Sequence, residues 1–335
     1  MTVLGLVAAA LVLAVPVGAV PPGDGGRRPV PVIYDSDMDF DDVSTLAYLC
    51  EEHKRGRVDL RAVTVANNGF GVPARTLRHA RSVLEQCGLP RVPVAAGADG
   101  QGVHPAPAEL VATIETVLSG ALGDAALPPY TSELTATELI SRTLRSSARR
   151  VTILATGPLT NVAAAGGAAR IVIMGGALRV PGNLYGSALP GFDNSQEFNM
   201  WMDPVSARKV LARPGGVRMV PLDATAAVPI TQEFVARLGA DQRAPGARLV
   251  HAIATQPEMK ALIDLGIMYW WDALAAVSMV HEGIAGFAPE RVDVVREGVQ
   301  SGRTVIVPGG YRVEAASGAD TGAFERRFLD SLNGR

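Results

Sequence analysis

The sequence predicts an α/β protein with an open, mostly parallel sheet and helices on both faces. Short runs that are apolar throughout recur along the chain, and helical patterns lie between most of them. Such strands are typical of a parallel sheet that is buried on both sides by its crossover helices. With 48% hydrophobic and 19% charged residues, the 335-residue chain has enough apolar material for a large core and is not a disordered protein.

The elements follow one another in an alternating order. The predicted strands are Val30–Tyr34, Leu60–Ala66, Val92–Ala96, Val151–Ala155, Ile171–Met174 and Val217–Val220. The predicted helices between them include Val43–Glu52, Pro73–Gln86 and Pro204–Leu211. Because no internal repeat divides the chain, we expect residues 30–335 to form a single domain.

The amino-terminal segment resembles a secretory signal. Residues Val3–Val15 are apolar, and the first charged side chain is Asp24. We expect a signal peptide over residues 1–19, cleaved after Ala19, then a Pro/Gly-rich linker over residues 20–29, and a protein secreted or otherwise outside the cytoplasm. A signal normally begins with Lys or Arg, and none is present here. An uncleaved membrane anchor or a misassigned start of a cytoplasmic protein therefore stays open.

Charge, cysteines and motifs exclude several classes of function. The chain has 31 Lys and Arg against 33 Asp and Glu, which argues against a nucleic-acid partner. The chain has only two cysteines, Cys50 and Cys87, which is too few for a disulfide scaffold or a four-cysteine zinc site. Whether these two form a disulfide stays open. The dinucleotide, triphosphate and serine-hydrolase signatures are absent from the sequence.

An acidic loop follows the first predicted strand. It holds five aspartates within eight residues: Asp35, Asp37, Asp39, Asp41 and Asp42. Ligands of open parallel sheets bind beyond the carboxyl ends of the strands, and a cation would relieve the repulsion among these carboxylates. Oxygen ligands without thiol or histidine suit calcium or magnesium. Two alternatives need no cation. The loop could be solvated, or its acidic residues could only stabilise the N-terminus of the following helix.

Two other motifs fit this loop less well. An EF-hand starting at Asp35 would need Gly at its sixth position and Glu at its twelfth, where this chain has Phe40 and Leu46. A phosphatase of the haloacid-dehalogenase type normally has Thr or Val at the position of Asp39. The pattern Asp35-x-Asp37-x-x-x-Asp41-Asp42 instead resembles the signature of the inosine-uridine-preferring nucleoside hydrolase family.

The resemblance extends from Val30 to about Val277. The further matching segments, in the family's order, are Val63–Asn68, Ala155–Asn161, Ile173–Gly176, Gly182–Asn183, Glu197–Asn199 and Trp271–Ala275. Met38-Asp39 departs from the family's usual Pro-Gly. Trp271 stands where inosine-uridine types have histidine, which is similar to the purine-specific branch.

The resemblance implies a Rossmann-like nucleoside hydrolase fold and calcium-dependent hydrolysis of the N-glycosidic bond of ribonucleosides. The implied metal ligands are Asp37, Asp42, Asp272 and the carbonyl of Thr156, and the implied catalytic residues are Asp37, as the base, and Asn199. The implied substrate-binding residues are Asp41, Asn68, Met174, Asn183, Glu197, Asn199 and Trp271. A purine preference is expected, because the indole of Trp271 can stack on a fused ring but has no titrating proton.

Several residues have structural alternatives. Asp35 could cap the following turn, and Asn183 could be a turn residue. Met174 could belong to the core. We expect Trp201 and Trp270 to be core residues. Asn67 and Asn68 both fit the ribose-binding asparagine, and the spacing to the strand favours Asn68. His104 follows the third strand and could reach the base.

Two other functions stay open, a metal-dependent phosphatase and a non-catalytic protein that binds nucleosides or sugars. The preferred base is not fixed by the sequence. Assembly into a homodimer or homotetramer is also left open, and beyond an uncleaved signal no membrane partner is expected.

Overall fold

The computed structural model describes residues 28–73, 75–99, 102–123, 132–185 and 191–335. The predicted signal peptide and residues 20–27 of the predicted linker lie outside these residues. Among the helices that the structure describes, none combines the length and apolarity needed to cross a membrane.

The strands and helices alternate over most of the chain. The strands are β1 (Val30–Ser36), β2 (Val58–Val65), β3 (Val94–Ala96), β4 (Thr152–Ala155), β5 (Arg170–Met174), β6 (Val217–Val220), β7 (Ala285–Val294), β8 (Thr304–Ile306) and β9 (Tyr311–Ala319). The helices are α1 (Phe40–Lys54), α2 (Thr76–Gln86), α3 (Ala108–Leu122), α4 (Ala136–Ser146), α5 (Thr160–Ala164), α6 (Phe198–Met202), α7 (Pro204–Leu211), α8 (Leu222–Thr225), α9 (Gln232–Ala240), α10 (Pro245–Ala254), α11 (Pro257–Asp264), α12 (Trp271–Val280) and α13 (Thr321–Leu332).

The described strands form one sheet in the order β3-β2-β1-β4-β5-β6-β9-β7-β8. Strands β1 to β6 are parallel to their neighbours, and β9 is parallel to β6, whereas β7 is antiparallel to both β8 and β9. This arrangement confirms the predicted mostly parallel α/β fold. The carboxyl ends of the parallel strands meet at one edge, so the loops after β1, β2, β4 and β5 are neighbours there.

The last three strands, β7, β8 and β9, were not predicted. Strand β7 contains Pro289, Glu290 and Arg291, and much of its length is exposed or half-buried. An edge pair of this kind has one solvated side, so its sequence lacks the continuous apolar run that identifies a central parallel strand. Helix α2 also begins at Thr76 and not at the predicted Pro73.

Each central strand contributes to two cores, one on either face of the sheet. In β5, Val172 and Met174 belong to one hydrophobic cluster, and Ile171 and Ile173 to the other. The first cluster contains apolar residues of α1, α10, α12 and α13, and the second those of α4, α5 and α7. Because side chains alternate along a strand, a strand that is apolar throughout buries both faces. Helices therefore cover both sides of the sheet, as predicted.

Candidate active site

Buried carboxylates gather at the carboxyl edge of the sheet in two overlapping groups. The first comprises Asp37, Asp39 and Asp42, and the second comprises Asp39, Asp41 and Asp272. Within each group, one oxygen of every carboxylate lies within 4.8 Å of the others, and all five side chains are buried. Asp272 comes from the first turn of α12, so the fold brings a distant helix to the loop between β1 and α1.

Asp39 was not singled out as a site residue, yet it belongs to both groups. It is the N-cap of α1, and its side chain accepts hydrogen bonds from the backbone N–H groups of Asp41 and Asp42. Asp42 accepts in return from the N–H of Asp39 at 3.1 Å, which completes a capping box. The Asp-x-x-Asp spacing ahead of an apolar helix is the sequence signal that could have identified this role. The buried Met38, at φ 57°, makes the sharp turn that precedes the cap.

Asp42 is fixed by four hydrogen bonds. Its Oδ1 accepts from the hydroxyl of Tyr34 at 2.7 Å and from Oγ1 of Thr156 at 2.5 Å. Its Oδ2 accepts from the N–H groups of Asp37 and Asp39. The donors come from β1, from the loop after it and from the loop after β4, so this carboxylate holds a single orientation between neighbouring strands.

Burial is the main influence on the acid strength of the cluster. It raises the pKa values of Asp37, Asp41 and Asp272 well above their usual range, and the nearby aspartates raise them further. The same two causes raise the pKa of Asp39 to about 6. A divalent cation would favour the ionised forms. The oxygen-only donor set therefore fits a hard cation such as calcium or magnesium.

Asp35 lies behind the cluster and does not cap the following turn. Its Oδ1 accepts from Oγ1 of Thr64 at 2.5 Å and from Nδ2 of Asn161 at 3.0 Å, while its Oδ2 is buried without a hydrogen-bond partner among the described residues. Burial raises the pKa of Asp35 to about 7. Asp35 thus joins β1 to β2 and α5 beneath the acidic loop.

The predicted sugar-binding residues of α6 lie beside the acidic cluster. Nδ2 of Asn199 donates to the carbonyl of Thr156 at 2.7 Å and lies 3.5 Å from Sδ of the buried Met174. Glu197 is the N-cap of α6, and its two carboxylate oxygens accept from the N–H groups of Asn199, Met200 and Gly176. Burial raises the pKa of Glu197. The structure therefore places both polar side chains of this segment in fixed positions.

The structure separates the two candidate asparagines after β2. Nδ2 of Asn68 donates to Oγ1 of Thr160, which in turn donates to Asp203. Asn67 instead bonds to the carbonyl of Gly97 and to Asp99, on the side of β3. Asn68 thus faces the start of α5, and its ribose-binding role stays a prediction.

Asn183 is half-buried, and its Oδ1 accepts from the N–H of Phe198 at 2.9 Å. This bond holds the turn around Asn183 against the start of α6. The amide nitrogen of Asn183 is not used in the bond, so the side chain keeps a donor at this position.

The three tryptophans have different environments. Trp270 is buried and packs against Phe234 and Phe328, as predicted for a core residue. Trp271 is half-buried, and its ring centroid lies 6.2 Å from that of Phe40 in an edge-on arrangement. Trp201 is half-buried and packs against a small buried cluster of Leu184, Phe198 and Met202, so it lies at the edge of a core and not inside one.

His104 is held in place by two contacts. Its ring stacks on that of Trp201, with centroids 4.6 Å apart, and its Nε2 lies 2.9 Å from Oγ of Ser301. Burial lowers the pKa of His104. These contacts join the loop after β3 to α6 and to the turn before β8, and favour a neutral imidazole that positions this loop.

Cys50 and Cys87 are both free and buried. Burial raises the pKa of the Cys50 thiol, and the nearby Cys87 thiol raises it further. The two thiols are neighbours between α1 and the end of α2.

Fold and site together define an α/β protein with a carboxylate centre at the carboxyl edge of a parallel sheet. The sequence profile described as inosine-uridine preferring nucleoside hydrolase matches residues 32–326. The chain belongs to this family, as its motifs indicated.

Individual relatives resemble the chain to different extents. The pyrimidine-specific ribonucleoside hydrolase RihA of Salmonella enteritidis is 34% identical over 207 residues, which cover 58% of this chain and 61% of that protein. RihA of Escherichia coli O157:H7 is 33% identical over 207 residues, which again cover 58% of this chain and 61% of that protein. The match thus spans about three fifths of the length of these curated relatives.

Solved structures share the fold at lower identity. The inosine-uridine preferring nucleoside hydrolase of Bacillus anthracis has a TM-score of 0.79 at 22% identity and covers 91% of this chain and 100% of its own. A purine-preferring ribonucleoside hydrolase of Gardnerella vaginalis has a TM-score of 0.74 at 22% identity. The match covers 91% of this chain and 98% of that structure.

Proposed function

We propose that the protein hydrolyses the N-glycosidic bond of ribonucleosides, giving ribose and free base, with a bound divalent cation and calcium as the first candidate. The observation that carries the proposal is the convergence of Asp272 with four aspartates, two in the β1–α1 loop and two in the first turn of α1. A buried set of five carboxylates needs a cation or protons to be stable, and the family to which the chain belongs is named for nucleoside hydrolysis.

The chain offers a defined ligand set. Asp37, Asp42, Asp272 and the carbonyl of Thr156 would hold the ion, which when bound supplies a more acidic water and a fixed point for the ribose hydroxyls. Asp39 groups with Asp37 and Asp42 on one side and with Asp272 on the other, and would support the site through its capping box with Asp42.

Asp37 is the proposed proton acceptor. Its Oδ2 accepts from the N–H of Phe70 at 2.5 Å, so the carboxylate is fixed rather than free to rotate. Backbone packing reinforces this position, because a Cβ on Gly157 would come within 2.8 Å of Oδ1 of Asp37. A carboxylate held in one orientation can take a proton from an attacking water without first reorganising.

The amide and carboxylate groups around the cluster would orient the sugar. Asn68, Asn183 and Asn199 present amide groups from three different segments, and Asp41 and Glu197 present carboxylates. Met174, beside Asn199, would form a polarizable wall under the ring. Hydrolysis through an oxocarbenium-like sugar requires this kind of fixed polar surface.

A purine preference is the proposed base selectivity. Trp271 is half-buried directly before Asp272, where its indole can contact a base next to the sugar. A purine offers two fused rings for stacking and a pyrimidine offers one. Pyrimidine preference is the second candidate, since the curated relatives that are 33–34% identical are pyrimidine-specific by name.

Release of reducing sugar from a panel of nucleosides, with and without a chelator, tests the activity. We expect turnover of nucleosides that is lost with the chelator and restored by calcium, and close to complete loss in the Asp42→Asn variant. Full activity of metal-free protein, verified by elemental analysis, would contradict the metal-dependent mechanism. Release of phosphate from nucleotides without turnover of nucleosides would indicate the phosphatase alternative, and binding without turnover would indicate a binding protein.

Export is a separate proposal, supported by the uncharged apolar start and the Pro/Gly-rich stretch after it. Amino-terminal sequencing of exported material is expected to give a start near Val20. An intact Met1 in soluble cytoplasmic material would contradict it.

A further inference from the structure

A cleft of about 660 Å³ lies at the amino-terminal edge of the sheet, opposite the acidic cluster. Residues at the starts of β1, β4, β5 and β6 line it, together with residues of β9. Arg170 begins β5 and Met174 ends it, and at about 3.3 Å per residue the two ends are about 13 Å apart. The cleft is therefore separate from the proposed catalytic site.

The charges that line the cleft are almost all positive. The arginines are Arg150, Arg170, Arg213, Arg218 and Arg312, and the single acidic residue is Glu314. Arg312 and Glu314 lie 4.0 Å apart, and both side chains are too exposed for this pair to neutralise the cleft. The cleft therefore carries a local excess of positive charge, although the whole chain has a net charge of −2.

Two of the arginines are held in place by the backbone. Nη2 of Arg150 donates to the carbonyl of Ala169 at 3.2 Å, and a Cβ on Gly215 would come within 2.6 Å of this nitrogen. Gly215, at φ +102°, therefore leaves room for the guanidinium beside a tight turn. Nη2 of Arg213 donates to the carbonyl of Ala165.

Arg213 also leaves one polar atom without a partner. Its Nη1 is buried and makes no hydrogen bond to any residue that the structure describes. A buried guanidinium N–H without an acceptor is costly, and nearly all such groups in proteins are paired. None of the described residues supplies an acceptor for this nitrogen.

Arg170 and Arg218 are exposed and free to bind an anion. Neither forms an ion pair with a carboxylate within the described ranges. The guanidinium carbon of Arg218 lies 4.5 Å from the centroid of the Phe287 ring, which fixes the side chain through its flat face. The N–H groups at the edge of the guanidinium stay available for an oxyanion.

We propose that this cleft binds a phosphate monoester of nucleotide size, at a site separate from the carboxylate centre. The planar forks of several arginines match the oxygens of a phosphate, and the volume lies in the range of small-molecule sites. Inorganic phosphate shares the recognised group, so the test compares it with a nucleoside monophosphate and a sugar phosphate.

Calorimetry on the full chain, with adenosine monophosphate, ribose 5-phosphate, inorganic phosphate and adenosine as probes, tests the proposal. We expect saturable binding of the two monoesters, weaker binding of inorganic phosphate, and weakening of all three at higher ionic strength.

The Arg170→Gln/Arg218→Gln double variant should weaken binding by at least about tenfold. The matched control, Arg142→Gln, removes an exposed arginine of α4 outside the cleft and should leave binding unchanged. Asp42→Asn, which alters the carboxylate centre, should also leave it unchanged.

Four results would overturn the proposal. The first is the absence of saturable binding at low ionic strength, and the second is unchanged binding in the double variant. The third is displacement of the monophosphate by uncharged adenosine, which would place it in the catalytic site. The fourth is much tighter binding of a single-stranded oligonucleotide or of anionic lipid vesicles, which would assign the arginines to a macromolecular surface.

Discussion

The backbone N–H of Asp272 donates a hydrogen bond of 3.1 Å to Oδ2 of Asp41, a residue 231 positions earlier in the chain. Through this bond the first turn of α12 meets the first turn of α1, and Asp272 reaches the carboxylates of the β1–α1 loop. The bond also leaves the side chain of Asp272 available to a cation. The metal centre that we propose therefore depends on how these two helices pack.

Substitution of the proposed base, Asp37→Ala, should lower turnover far more than it lowers stability. The residue lies in a loop after β1, whereas loss of a positioned base typically costs 10²–10⁴-fold in rate. Loss of a metal ligand should enlarge the effect. Turnover and melting temperature measured on the same preparation separate the two effects. If the variant keeps a tenth of the rate, Asp37 is not the base.

Thr156→Val should weaken calcium binding while the fold is retained. The substitution keeps the backbone carbonyl but removes the hydroxyl that donates to Oδ1 of Asp42 at 2.5 Å. Loss of such a supporting contact typically costs about 10–100-fold in metal affinity or activity. Calcium titration followed by calorimetry measures it. Thr113→Val, which removes an exposed hydroxyl bonded to a helix carbonyl of α3, is the matched control and should have no effect. Equal affinities of the two variants would contradict the role of Thr156.

The difference in stability between calcium-loaded and metal-free protein should grow as the pH rises. In metal-free protein, the pKa of Asp35 is raised to about 7 and that of Asp39 to about 6, from an unfolded value near 3.9. The folded state then binds protons more tightly than the unfolded state, so these groups lower the free energy of unfolding as the pH rises from about 4 to 7. A bound cation compensates the ionised carboxylates and should remove this loss.

Melting temperatures measured in calcium and in chelator across this pH range provide the test. Asp35→Asn should raise the stability of metal-free protein near neutral pH, because the amide can replace the buried carboxyl without ionising. A calcium effect that is the same at pH 4.5 and pH 7 would contradict the argument.

Trp271→Ala should reduce turnover of purine nucleosides by about tenfold or more, and that of uridine and cytidine by much less. Stacking of a base on an aromatic ring is worth about 1–3 kcal/mol, and a purine presents the larger surface. Initial rates on inosine and uridine, measured with the same variant, are the comparison. Equal losses on both would show that Trp271 only packs against Phe40. A wild-type enzyme faster on uridine than on inosine would support the pyrimidine alternative.

The local sequence was sufficient to identify the parallel strands β1 to β6 and to single out most residues of the candidate site. Apolar runs that alternate with helices are produced by a sheet covered on both faces, so β1 to β6 could be identified from periodicity alone. The acidic loop and the segments around Asn68, Thr156 and Asn199 stood out because polar residues directly follow those strands. Strands β7, β8 and β9 could not be identified in this way, because strands near the edge of the sheet with a solvated side have no continuous apolar pattern.

Contacts between distant segments were decided only by the tertiary structure. The sequence alone did not distinguish Asp39 from a solvated aspartate, since its membership of both carboxylate groups requires the approach of Asp272. Nor did it reveal that Glu197 is held by three backbone N–H groups, or that His104 is stacked on Trp201. The arginine cleft was also invisible, because its residues come from separate segments that meet only where the strands begin. Residue type and local periodicity determine which elements form, whereas the packing of those elements determines which charged groups become neighbours and how strongly burial changes their chemistry.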